Sequence, residues 1–153
     1  VPTLREALSF TQENEWQVNL ELKFVPPPLG DFPLVERVLA VIDEVRIDPQ
    51  RVIISSFQHD WLTLVNRLRP DIQVQALVGD LNDAIRFPQF DTYNAWLAVT
   101  DEDQVRAAVS RGLRVNLWTV NEQADMRRFI AAGVSGFFTD WPQRLQAVLE
   151  SLS

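Results

Sequence analysis

The chain has 153 residues, 46% of them hydrophobic, a formal net charge of −7, no cysteine and one histidine. That is enough for one domain, residues 1–153, with one substantial core. The balance excludes several classes: no basic block for non-specific nucleic-acid binding, no thiolate zinc site or Cys nucleophile, and no apolar run of the roughly 18–20 residues a membrane span needs.

Strand and helix signals alternate along the chain. Thr3 caps a first helix, with Glu6 completing a capping box, and that helix runs to about Gln12. Gln17 to Lys23 reads as a strand, and the proline-rich stretch Phe24 to Pro33 as a loop. Leu34 to Val45 reads as a helix from the apolar spacing of Leu34, Val38, Ala40, Val41 and Val45. Arg51 to Phe57 is a β-branched strand, followed by a helix from His59 to Leu68 that Pro70 stops. Ile72 to Val78 is a third strand and Trp96 to Val99 a short fourth, with a loop or broken helix between Gly79 and Asn94. Thr100 caps a helix over Asp101 to Ser110, closed by Gly112. Arg114 to Val120 is a fifth strand. Asn121 caps a helix ending at Gly133, Gly136 to Thr139 is a sixth strand, and Asp140 caps the last helix with Pro142 in its first turn.

Such alternation with short connections means parallel pairing through helical crossovers. A doubly wound open sheet suits about 150 residues, whereas a (β/α)8 barrel typically needs about 250. The strand ends weigh the other way. Asn19, Glu21 and Lys23 alternate onto one face, with Leu20 and Leu22 on the other. A polar face is foreign to a doubly wound sheet. It is expected where inward residues near the strand ends line a barrel mouth. The plainer reading is an edge strand with a solvated face.

Asn116, Trp118 and Val120 share a face in the same way, and Trp118 reads either as a pocket wall or as a core residue beside an Asn121 cap. Asp140 reads most simply as a cap, with Gln143 in the capping-box position. His59 and Asp60 are adjacent on a helix and do not face each other, so they make no dyad. A capping or surface role is the default for His59. Trp61, Trp96 and Trp141 are undecided between core and cleft.

Five segments in order resemble the glycerophosphodiester phosphodiesterases: Pro2-Thr3-Leu4-Arg5-Glu6-Ala7-Leu8, Asn19-Leu20-Glu21-Leu22-Lys23, Ser55-Ser56-Phe57, Asn116-Leu117-Trp118-Thr119-Val120-Asn121, and Gly133 through Pro142. The resemblance implies a TIM (β/α)8 barrel, here incomplete and covering about strands 3 to 8. It implies hydrolysis of glycerophosphodiesters to glycerol 3-phosphate and an alcohol, with a divalent cation, Ca²⁺ or Mg²⁺. By motif, Glu21 is a metal ligand, Lys23 meets the substrate phosphate, and Trp118 lines the pocket; Asn19 and Asn121 are further pocket candidates. The family's His-Arg-Gly and its other acidic ligands have no counterpart here, and His59 matches neither catalytic histidine.

The expectation is therefore a metal-dependent phosphodiesterase whose acid, base and remaining ligands lie outside this chain, with the chain inactive alone. Open strand edges add an expectation of self-association or of pairing with a missing N-terminal segment. No signal peptide is visible, which favours the cytoplasm. The alternative is a non-catalytic α/β module that binds phosphate esters or a partner. A flavodoxin-like regulatory domain is weaker still, because it needs an acidic cluster or phosphate loop after the first strand.

Overall fold

The structure is a computed structural model that describes residues 1–24, 26, 32–86 and 88–152, without the side chains of residues 83 and 86. Most of the proline-rich stretch expected to be a loop therefore lies outside the described residues. The chain divides into two compact units, Val1–Ala76 and Leu77–Ser153.

The first unit runs α1 (Leu4–Glu13), β1 (Val18–Leu22), α2 (Leu34–Val45), a 3₁₀ turn (Pro49–Arg51), β2 (Val52–Ser56), α3 (His59–Leu68) and β3 (Gln73–Val78), whose last residues pass the boundary. Helix α1 starts where Thr3 holds an extended backbone and its hydroxyl accepts from the Glu6 N–H, while Glu6 accepts from the Thr3 N–H at 2.7 Å. Both orphan donors at that helix end are satisfied reciprocally. Helix α2 buries Val35, Val38, Leu39 and Ile42, one face of a 3.6-residue period. Each such side chain removed from water contributes about 1.5–3 kcal/mol. Arg46 ends α2 in a left-handed conformation, φ 58°. The strands pair in parallel: Leu20 lies opposite Ile54, and Ile54 opposite Val74.

The second unit contains α4 (Leu81–Arg86), β4 (Thr92–Trp96), a 3₁₀ turn (Leu97–Val99), α5 (Glu102–Ser110), β5 (Arg114–Trp118), α6 (Gln123–Ala132), β6 (Gly136–Phe137) and α7 (Pro142–Glu150). β4 pairs with β5 and β5 with β6, again in parallel. Its core is built on Tyr93, Val105, Val115, Leu117, Met126, Phe129 and Val148, all essentially fully buried. Gly133 closes α6 at φ 94°, a left-handed conformation that glycine adopts without a Cβ penalty.

Four sequence expectations need correction. The fourth strand is Thr92–Trp96, and the apolar run after it turns as 3₁₀ helix. Asp101, not Thr100, caps α5: its carboxylate accepts from the Gln104 N–H at 2.8 Å, and the Gln104 side chain accepts from the Asp101 N–H. The Thr100 hydroxyl instead donates to the Trp96 carbonyl. Glu122, not Asn121, occupies the cap position of α6, and Trp141, not Asp140, that of α7; neither makes a side-chain cap bond. Helices α2 and α3 match the sequence reading residue for residue.

Candidate functional site

In the first unit the register puts Glu21 opposite Ser55 and Ser55 opposite Gln75, so one level of the parallel sheet carries three polar side chains on the same face. Asn19 stands one step earlier, opposite Ile53. The opposite face holds Leu22, Ile54 and Ala76, which are buried. β1 alternates in exposure as the sequence implied: Asn19 and Glu21 are exposed, and Leu22 is buried. Lys23 follows β1, and its ammonium lies 3.5 Å from the Glu21 carboxylate. The Lys23 side chain is 76% exposed, so the pair is weakly held and can be exchanged for a ligand's charge. Glu21 and Lys23 border a groove of about 440 Å³ whose apolar wall includes Leu4, Leu34 and Val38.

Sequence reading missed Ser55 and Gln75 as members of this polar face. Ser55 is 1% exposed, and its hydroxyl has no hydrogen-bond partner among the described residues. The signal was available, since Ser55 and Glu21 hold equivalent places in successive strands.

His59 opens α3 directly after β2 and is half-buried; its carbonyl accepts from the Thr63 hydroxyl. Among the described residues no group of three or more His, Asp or Glu side chains could hold a metal ion.

In the second unit, Asn94 lies opposite Asn116, Trp96 opposite Trp118, and Asn116 opposite Gly136. The Asn116 amide donates to Asn94 Oδ1 at 2.9 Å. The Trp118 indole N–H donates to the Asn94 carbonyl at 3.0 Å. Trp96 and Trp118 stack with centroids 6.0 Å apart and an interplanar angle of 15°. Asn94 is fully buried, and its Nδ2 finds no acceptor among the described residues. Buried amide donors are normally satisfied, so this one stands out. Asn94 was missed in the sequence because its strand was placed three to four residues too late. The Trp118–Thr119 peptide is cis.

Asn121 has a different task from capping. Its Nδ2 donates to Asp140 Oδ2 at 2.8 Å, and its Oδ1 accepts from the Asp140 N–H at 3.0 Å and the Thr139 hydroxyl at 3.2 Å. Arg144 donates to the Asn121 carbonyl at 2.9 Å. The side chain thus latches the loop after β5 to the loop after β6.

Residues 1–144 match the model of the glycerophosphoryl diester phosphodiesterase family. The chain belongs to that family. A glycerophosphodiester phosphodiesterase of Caldanaerobacter subterraneus subsp. tengcongensis is 30% identical over 151 residues, covering 95% of this chain and 60% of that protein. The family resemblance extends to solved structures. A putative glycerophosphoryl diester phosphodiesterase from Silicibacter pomeroyi superposes with a TM-score of 0.82 at 29% identity, covering 99% of this chain and 57% of the other. An Oleispira antarctica phosphodiesterase in complex with sn-glycerol-3-phosphate has the same fold, with a TM-score of 0.76 at 24% identity over 97% of this chain and 61% of the other. The chain spans about three-fifths of the length of the curated relatives it matches.

Proposed function

We propose that this sequence supplies part of a glycerophosphodiester phosphodiesterase, which cleaves a glycerophosphodiester to glycerol 3-phosphate and an alcohol. The observation that carries the reading is the Glu21–Lys23 pair, exposed at the C-terminal end of β1 in a chain that matches this family along residues 1–144. The named relatives, one of them holding sn-glycerol-3-phosphate, support the same substrate class. In this reading the six strands are strands 3 to 8 of one (β/α)8 barrel, an incomplete TIM barrel.

Lys23 contacts the phosphate. An ammonium beside the non-bridging oxygens neutralises charge that builds up during phosphoryl cleavage. Trp118 forms a pocket wall, held at its tilt by the Asn94 carbonyl. Asn19 extends the polar face of β1, and Asn121 fixes the loops beside the Trp118 strand.

A divalent cation, Ca²⁺ or Mg²⁺, belongs to the resemblance. The described residues do not fit one by themselves: Glu21 offers one carboxylate, already facing Lys23, with no cluster of three ligating groups around it. Hard cations of this kind take six or more oxygens. Glu21 would supply one ligand, with the others drawn from outside these residues. The chain has one histidine where the family's chemistry needs two, so its 153 residues alone are inactive. Turnover by the pure chain that Glu21→Ala abolishes would overturn that statement.

The reading also carries an expectation of self-association, or of pairing with a segment preceding Val1. A monodisperse monomer in sedimentation would count against it.

Binding of sn-glycerol 3-phosphate to the chain, followed by ³¹P NMR, tests the phosphate role. Lys23→Met is expected to weaken binding by roughly ten-fold, the worth of one charge-assisted contact. Equal affinity in the variant would remove Lys23 from the site.

A further inference from the structure

Ser55 and Ser56 are neighbours on β2, so their side chains leave opposite faces of the sheet. The Ser56 hydroxyl is spent on the fold: it donates to the Leu22 carbonyl at 2.7 Å and accepts from the Gln58 N–H at 3.0 Å. Ser55 is just as deeply buried, yet its hydroxyl bonds neither Glu21 nor Gln75, its register partners on either side. Leaving a buried hydroxyl unspent is costly, and alanine at this position would avoid the cost.

Glu21 is the acceptor within reach of that hydroxyl. Register partners on adjacent parallel strands stand about 4.8 Å apart with their side chains on one face. A glutamate spans that gap with room to turn. Its carboxylate faces Lys23 instead, at 3.5 Å. The Lys23 side chain is 76% exposed and that of Glu21 38%, so their ion pair is weak and readily broken. A phosphate that draws Lys23 away leaves a carboxylate without its cation beside a hydroxyl without an acceptor. One bond closes both deficits, the Ser55 O–H donating to a Glu21 carboxylate oxygen. Such charge-assisted bonds are stronger than neutral ones.

We propose that Ser55 is a positioning residue, which takes over the Glu21 carboxylate as Lys23 leaves it for the substrate phosphate. The exchange keeps Glu21 aimed into the site at the moment its counter-charge is withdrawn. The inference rests on the phosphodiesterase reading and deepens it. Ser55 acts through Glu21 and touches neither the phosphorus nor the leaving alcohol.

The test uses Lys23→Met, which takes the ammonium away from Glu21 without any ligand. Urea unfolding is compared for the wild-type chain, Lys23→Met, Ser55→Ala and the double variant. In the wild-type background Ser55→Ala is expected to leave the folded-to-unfolded ratio unchanged or to raise it, since the hydroxyl it deletes makes no bond. In the Lys23→Met background the same substitution should lower that ratio roughly three- to ten-fold, the worth of a part-exposed charge-assisted bond. A serine with a merely structural role would have the same effect in both backgrounds, and that result overturns the inference. Binding of sn-glycerol 3-phosphate is measured separately by ³¹P NMR. Ser55→Ala should bind it roughly three- to ten-fold more weakly than the wild-type chain. Equal affinity of the two also overturns the exchange. If the coupling is absent and the wild-type chain still binds sn-glycerol 3-phosphate, the phosphodiesterase reading survives without it. Coupling without any response to sn-glycerol 3-phosphate supports the Ser55–Glu21 bond and counts against the diester reading.

Discussion

Asn116 and Gly136 are register partners on adjacent strands, and a Cβ placed on Gly136 would stand 2.8 Å from Asn116 Oδ1. The Asn116 amide cannot swing away freely, since it donates to Asn94. Gly136→Ala is therefore expected to destabilise the chain by about 1–3 kcal/mol, through overpacking or loss of that bond. In an Asn116→Ala background the same substitution should cost clearly less. Urea unfolding of the four proteins of this cycle measures the coupling, and strictly additive costs would refute the contact.

The Asn121 latch gives a second prediction. Asn121→Ala leaves the Asp140 N–H and the Thr139 hydroxyl without their acceptor, and is expected to cost about 1–3 kcal/mol. Amide exchange at Asp140 should accelerate in the same variant. Unchanged exchange there would mean that the two loops are held together by other contacts.

Helix α5 separates two neighbouring candidates for its cap. Asp101→Ala should lose about 1 kcal/mol by removing the capping box with Gln104. Thr100→Val should lose the hydroxyl bond to the Trp96 carbonyl while leaving the helix start intact. Thermal unfolding with helix-sensitive circular dichroism distinguishes them; equal loss of helix in both would contradict the assignment.

How much of this could be read from the sequence depended on what each residue's role is local to. The apolar stripes of α2 and α3 repeat within the helix, so their boundaries were legible. So was the alternation of Asn19, Leu20, Glu21 and Leu22, which depends on the strand's own pleat. The Asp101–Gln104 box was present as a pattern but was passed over for Thr100, its neighbour. β4 was displaced because its inner face is a buried polar residue, Asn94, amid loop-like composition. The tasks of Asn121 and Asp140 were hidden for a different reason: they are 19 residues apart and meet only through the β5–β6 pairing.

Acid sensitivity follows from three carboxyls held below their ordinary range. The Thr3 backbone N–H does this for Glu6, the Arg69 guanidinium for Asp71, and the Arg128 guanidinium for Glu102. A carboxyl lowered in the folded state takes up its proton more readily when unfolded. The stability it contributes is present above the ordinary value and is lost as pH falls through the folded one. For Glu102 that loss begins below about 4.5. Glu102→Gln should flatten the decline of stability with falling pH in this range, and an identical slope in both proteins would exclude the Arg128 contact as a cause.

The central claim is that Glu21 belongs to a phosphodiesterase site, and its most direct measurement is catalytic. The full-length product of the gene should release sn-glycerol 3-phosphate from glycerophosphodiesters, and Glu21→Gln should lower kcat/KM by roughly 100-fold or more while the fold persists. Absence of sn-glycerol 3-phosphate, or an unchanged kcat/KM in Glu21→Gln, would contradict the account.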